Sequence, residues 1–207
     1  MPPLDLVGPS GRLEAILDEP TSPAPPRAAV VLAHPHPLHG GTMHTKAVYQ
    51  TAKALARIGC AVVRFNFRGV GASQGVHDNG IGERDDVGAA IDAMAARYPG
   101  VRLWTAGMSF GSWVALTRGA EDPRVSALIG IAVPVGTYDF EPVARSGKAL
   151  FLIHGEFDEI CPLKDVRAFY ARATEPKELV VIETADHLFT GNVSLVAEAI
   201  EDLLEDF

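Results

Sequence analysis

Cysteine is nearly absent from this 207-residue chain, in which Cys60 and Cys161 are the only two. Two isolated thiols without a secretion signal read as free and buried rather than bridged. Runs of Lys or Arg are missing too, and the formal net charge is -8. The electrostatic attraction that drives phosphate-backbone binding would here be repulsion, which argues against a nucleic-acid partner. No apolar stretch approaches the roughly 18 residues a membrane helix needs. The segment from Met1 to Arg12 has no basic start followed by a long apolar core. The sequence therefore reads as cytoplasmic, with no membrane partner. No internal repeat, low-complexity tract or interdomain linker is present, and residues 1–207 are expected to form one domain.

What is there is a packed globular composition, 47% hydrophobic and 21% charged. Leu4 to Val7 and Leu13 to Leu17 flank the turn-rich Gly8-Pro9-Ser10-Gly11, which predicts an antiparallel hairpin at a sheet edge. A proline-rich loop follows from Pro20 to Pro26. Beyond it, short apolar runs alternate with helical stretches. The runs are Val30 to Ala33, Ala61 to Val63 with Phe65, Leu103 to Ala106, Leu128 to Val133, Leu150 to Ile153 and Leu179 to Ile182. Val87, Ile91, Met94 and Tyr98 recur at helical spacing, as do Val196, Ile200, Leu203 and Phe207. A third stripe, Val48, Leu55 and Ile58, lies within Thr45 to Ile58. This is the pattern of an α/β fold, a mostly parallel central sheet with helices on both faces.

One of those runs leads into chemistry. Leu103 to Ala106 feeds Gly107-Met108-Ser109-Phe110-Gly111, a G-x-S-x-G, and then a helical stretch from Ser112 to Arg118. A turn tight enough to lift a serine above the sheet brings strand and helix backbones together, so side chains at the two glycines would clash. The strand-turn-helix context marks Ser109 as a nucleophile, set at a helix N-terminus whose dipole favours negative charge.

A serine hydroxyl needs a base, usually histidine, held in one tautomer by a carboxylate. For a strand-borne G-x-S-x-G the chain order is serine, acid, histidine. Downstream of Ser109 only His154 and His187 exist, and His187 has the right order. His154 ends a strand and reads as a core residue. Asp158 follows the Leu150 to Ile153 run, and His187 follows Leu179 to Ile182, so both fall in loops at the carboxyl edge of a parallel sheet. Asp139, Glu156 and Asp186 are rival acids, with Asp139 next in order and Asp186 disfavoured because adjacent side chains on an extended loop point apart.

The oxyanion donors are expected to be the backbone N–H of Phe110 and one from the loop after Val30 to Ala33. In His34-Pro35-His36-Pro37-Leu38-His39-Gly40-Gly41 the prolines have no N–H to give, so His36 is the candidate and Leu38 the fallback. His34, His36, His39 and His44 invite a metal reading, but the spacing matches no standard zinc pattern and no Cys or carboxylate completes a set. Neither a metal nor a cofactor is expected.

Together these residues resemble the α/β-hydrolase superfamily from Val30 onward. His34-Pro-His-Pro with Gly40-Gly41-Thr42-Met43, Arg64-Phe-Asn-Phe-Arg-Gly-Val-Gly71-Ala-Ser73, and Gly82-Glu83 with Asp85-Asp86 are similar to small bacterial predicted hydrolases related to dienelactone hydrolases and serine aminopeptidase-like hydrolases. The resemblance implies that the Asn66 to Gly69 segment with Ser73 is a structural loop bordering the site, anchored by Asp85 or Asp86. Ser109 stands where dienelactone hydrolases carry cysteine. Pro134 to Lys148 is too short for a lid domain, which implies an open site. The expected partner is a small-molecule acyl substrate, cleaved as a carboxylic ester through an acyl-enzyme. Thioesterase, peptidase or acyltransferase chemistry on the same triad is the alternative, and a non-catalytic binding protein a further one. The C-terminal stripe is compatible with a homo-oligomer contact or with packing on the sheet.

Overall fold

The computed structural model describes residues 4–21 and 25–207. Strands β1 (Leu6–Gly8) and β2 (Gly11–Leu13) pair antiparallel as a small sheet of their own. The main sheet is built from β3 (Ala15–Asp18), β4 (Ala28–Ala33), β5 (Ala61–Phe65), β6 (Arg102–Met108), β7 (Val125–Ile131), β8 (Ala149–Gly155) and β9 (Lys177–Ile182). Its strand order is β3-β5-β4-β6-β7-β8-β9, with β3 antiparallel to β5 and every other pairing parallel. The connecting helices are α1 (Lys46–Arg57), α2 (Ile81–Arg97), α3 (Phe110–Glu121), the short α4 (Glu141–Ala144), α5 (Leu163–Arg172) and α6 (Val193–Leu204).

The apolar runs are continuous because the central strands are covered on both faces. Val31, Val63 and Leu103 point into one core with Val87, Ile91 and Met94 of α2 and Val114 of α3. Their neighbours Val30, Val62 and Trp104 point into the other, with Val48 and Leu55 of α1 and Val196 and Ile200 of α6. Each such Val, Leu or Ile side chain contributes about 1.5–3 kcal/mol by leaving water.

Local details depart from the sequence reading. The hairpin is shorter than predicted and separate from the main sheet. The edge position belongs to β3, whose Ala15 to Asp18 pair with Phe65 to Val62. Strand β7 stops at Ile131, because Ala132 turns to a φ of 50°. Tyr98 caps α2 instead of extending it. Helix α5 had no legible stripe, since only Val166 and Phe169 on it are buried. Residues 22–24 of the proline-rich loop lie outside the described residues.

The parallel order puts the carboxyl ends of β4, β6, β8 and β9 at one rim. Between β7 and β8 the only helix is four-residue α4, and among the described residues no lid covers that rim. The 66–75 loop is pinned beside it. Asn66 accepts the Met43 N–H through Oδ1 at 2.8 Å and donates to Glu14 through Nδ2 at 2.7 Å. Arg68 is gripped by Asp86, which accepts its backbone N–H and two guanidinium N–H groups at 2.8–3.1 Å. Of the two acids the sequence left open as the anchor, Asp86 holds the loop and Asp85 is exposed.

Candidate active site

Ser109 stands between β6 and α3 with φ 53° and ψ -125°. A non-glycine residue held there stores backbone strain of roughly 1–3 kcal/mol. The turn closes only because its flanking positions lack side chains. A Cβ on Gly107 would lie 2.3 Å from the Gly111 carbonyl oxygen, and one on Gly111 would lie 2.3 Å from that of His34. Both approaches are far inside contact distance, so the glycines let α3 butt against the end of β4.

The histidine loop is shaped by Asp186, whose Oδ1 accepts the N–H groups of Leu188 at 3.0 Å and Thr190 at 2.8 Å. The Thr190 N–H, followed by other loop donors, holds this carboxyl below its usual range. Asp186 thus turns into its own loop and leaves His187 facing the sheet rim. His187 Nδ1 lies 2.8 Å from Asp158 Oδ2, and its Nε2 lies 3.0 Å from Ser109 Oγ. An ionised carboxylate can only accept, so Nδ1 carries the hydrogen and Nε2 offers its lone pair to the serine hydroxyl.

Asp158 is buried, and its other oxygen accepts the N–H groups of Ile160 at 3.0 Å and Cys161 at 2.7 Å. The rivals are occupied elsewhere. Asp139 accepts the N–H of Glu141 at the start of α4, and Glu156 accepts that of Thr184 at 3.3 Å. His154 is fully buried, its Nε2 2.6 Å from the Cys161 carbonyl oxygen, and burial lowers its pKa.

Ser109, His187, Phe110 and His36 share the lining of a cleft of about 440 Å³, together with Tyr138 and Ile160. Among the described residues, the N–H groups of Phe110 and His36 donate to no protein acceptor. Two unspent donors beside the Ser109 hydroxyl are an arrangement able to hold an oxyanion. The Leu38 N–H, the fallback donor, is taken by His36 Nδ1 at 3.2 Å. His34 accepts the Phe67 N–H through Nε2 at 3.1 Å, and burial pushes its pKa down to about 4. It is a neutral structural group at the base of the loop.

Two features of this rim had no signal in the sequence. His77 Nδ1 lies 2.8 Å from Oε1 of the buried Glu83, and its ring packs 5.2 Å from that of His36. Tyr138, which lines the cleft, stacks on Trp113 at 4.2 Å with the rings 10° apart. Each depends on a loop residue, His77 or Tyr138, where no periodic pattern repeats.

Among the described residues, the group with metal-ligand atoms close enough for one ion is Asp158, Cys161 and His187, within 4.8 Å of one another. It is not the histidine set of residues 34–44. Burial pushes the Cys161 thiol up to about 12, so it stays protonated, and the other two members are bonded to each other. That donor chemistry suits a proton relay better than a cation.

The sequence profile of the family described as serine aminopeptidase, S33, matches residues 24–146. A protein of Rickettsia prowazekii, itself uncharacterized, is 37% identical over 99% of this chain and 89% of its own. XC6422 of Xanthomonas campestris, an α/β serine hydrolase without a lid, superposes with a TM-score of 0.90 at 35% identity, over 97% of this chain and 92% of its own. An α/β serine hydrolase homologue of Coxiella burnetii gives a TM-score of 0.89 at 36% identity, over 98% and 97%.

Proposed function

We propose, from the premise that the chain belongs to the S33 serine aminopeptidase family of α/β hydrolases, that it hydrolyses small, accessible carboxylic esters through an acyl-enzyme on Ser109. The observation that carries this reading is the unbroken chain Ser109 Oγ, His187, Asp158, at 3.0 and 2.8 Å, opening into the lidless cleft.

In the first half-reaction Ser109 Oγ bonds to the ester carbonyl carbon while its proton passes to His187 Nε2. The carbonyl π pair moves to oxygen, and the alkoxide formed is held by the N–H groups of Phe110 and His36. Such a pair is worth about 100-fold or more in rate per donor. The intermediate then collapses, the C–O bond to the alcohol breaks, and His187 returns the proton to the departing oxygen. Water repeats the sequence on the acyl-serine, its proton going through His187 back to Ser109, and the carboxylic acid leaves. Asp158 keeps the Nδ1–H tautomer and balances the transient imidazolium. The open rim and the mostly apolar lining favour short uncharged acyl groups.

A fluorophosphonate probe tests the nucleophile and an ester, thioester and amide panel tests the class. The expected result is labelling at Ser109, turnover of short esters, and loss of both in folded Ser109→Ala. Labelling elsewhere, or esters ranking below amides or thioesters, overturns the reading.

A further inference from the structure

Next to the catalytic cleft lies a second hollow of about 290 Å³, bounded by Thr45, Lys46 and Ala47 at the start of α1 and by Thr190, Gly191 and Val193 before and at the start of α6. Leu188 lines both spaces. It follows His187 directly and is 58% exposed, standing as a low wall between them.

The chemistry gives the two spaces different occupants, resting on the ester reading above. The proton that His187 Nε2 takes from Ser109 must next reach the departing alcohol oxygen, so the alcohol half of the substrate has to lie on the histidine side of the serine. The histidine loop is the side on which Leu188 and the second hollow lie. The acyl half then faces Tyr138, Thr137 and Pro134, which line the catalytic cleft on the loop after β7. Ala47, Leu188 and Val193 give the hollow an apolar wall, and Thr45 and Thr190 give it a polar rim. The geometry points to the hollow between α1 and the histidine loop as the leaving-group subsite, taking an uncharged aliphatic alcohol chain that passes over Leu188.

The test varies the two halves of the substrate separately. Ethyl, butyl and hexyl butyrate probe the alcohol side; ethyl acetate, butyrate and hexanoate probe the acyl side. Lys46→Trp fills the hollow from an exposed position at the helix start, and Leu188→Ala lowers the wall. Lys46→Trp is expected to cut the kcat/KM ratio of hexyl to ethyl butyrate by about tenfold, the size of effect apolar pockets produce. Leu188→Ala is expected to raise that ratio, and in both variants the hexanoate to acetate ratio stays within about twofold. An alcohol ratio that neither variant moves, or an acyl ratio that moves in its place, overturns the subsite. If wild type cleaves no member of either series while Ser109 still labels, the ester reading fails, and that outcome is distinct from a wild type that cleaves esters with variants of unchanged alcohol preference.

Discussion

His154 Nε2 lies 3.5 Å from Asp158 Oδ2, the same oxygen that accepts the Nδ1–H of His187 at 2.8 Å. Because the Cys161 carbonyl can only accept, His154 presents an N–H there, and its buried Nδ1 has no hydrogen-bond partner among the described residues. A proton on that nitrogen would be unsatisfied, so His154 stays neutral, in line with the lowering of its pKa by burial. Asp158 is therefore held through one oxygen by the N–H groups of Ile160 and Cys161 and flanked by an uncharged imidazole, with its other oxygen turned to His187.

From this arrangement Asp158→Asn is expected to lower kcat by about 10³–10⁴, because the amide can donate to Nδ1 and favour the wrong tautomer. Asp139→Asn is expected to stay within about twofold of wild type, since its oxygen only accepts the Glu141 N–H at the start of α4 and the amide keeps an acceptor. Steady-state kinetics on a short ester reads both. A large loss at Asp139 with a small one at Asp158 would move the acid to the loop after β7.

Acid is expected to destabilise the fold through His34. Its pKa is depressed to about 4 in the folded chain by burial, against 6.5 for an exposed imidazole. Above 6.5 neither state binds the proton and there is no difference. As pH falls from 6.5 to about 4 the unfolded chain takes up a proton that the folded chain refuses, and stability drops by about 3 kcal/mol. Urea unfolding at pH 7 and pH 4.5 should show the loss, with a shallower slope in His34→Gln. An NMR titration that finds His34 charged at pH 6 would refute it.

Thiol reagents are expected to leave the activity intact. Burial pushes both Cys60 and Cys161 up to about 12, so almost no thiolate exists near neutral pH, and both side chains are covered. Iodoacetamide at pH 7.5 should neither alkylate the folded protein nor slow ester turnover. Rapid inactivation, protected by substrate, would show that the acid loop opens to solvent around Cys161.

Asp86→Ala is expected to cost about 3–5 kcal/mol, since it strands the Arg68 guanidinium, which is almost fully buried, without its carboxylate. Asp85→Ala, on the exposed side of the same helix turn, should change stability by no more than about 0.5 kcal/mol. Chemical denaturation of the two variants gives the comparison, and equal losses would mean the loop is not anchored through Asp86.

Much of this protein was legible in one dimension. A strand covered on both faces must be apolar at both parities, so runs such as Val30 to Ala33 announce themselves, and two glycines around Ser109 mark where a strand and a helix approach too closely for side chains. The order of Ser109, Asp158 and His187 follows from strands whose carboxyl ends share a rim. Only the tertiary structure decided which of several nearby carboxylates faces His187, that His36 and Phe110 keep their N–H groups unspent, that Asp86 rather than Asp85 grips Arg68, and that Leu188 divides two hollows. Those outcomes depend on loops, where no period repeats and a rotation of one residue sends a side chain to a different partner, so they exist only once distant segments have packed.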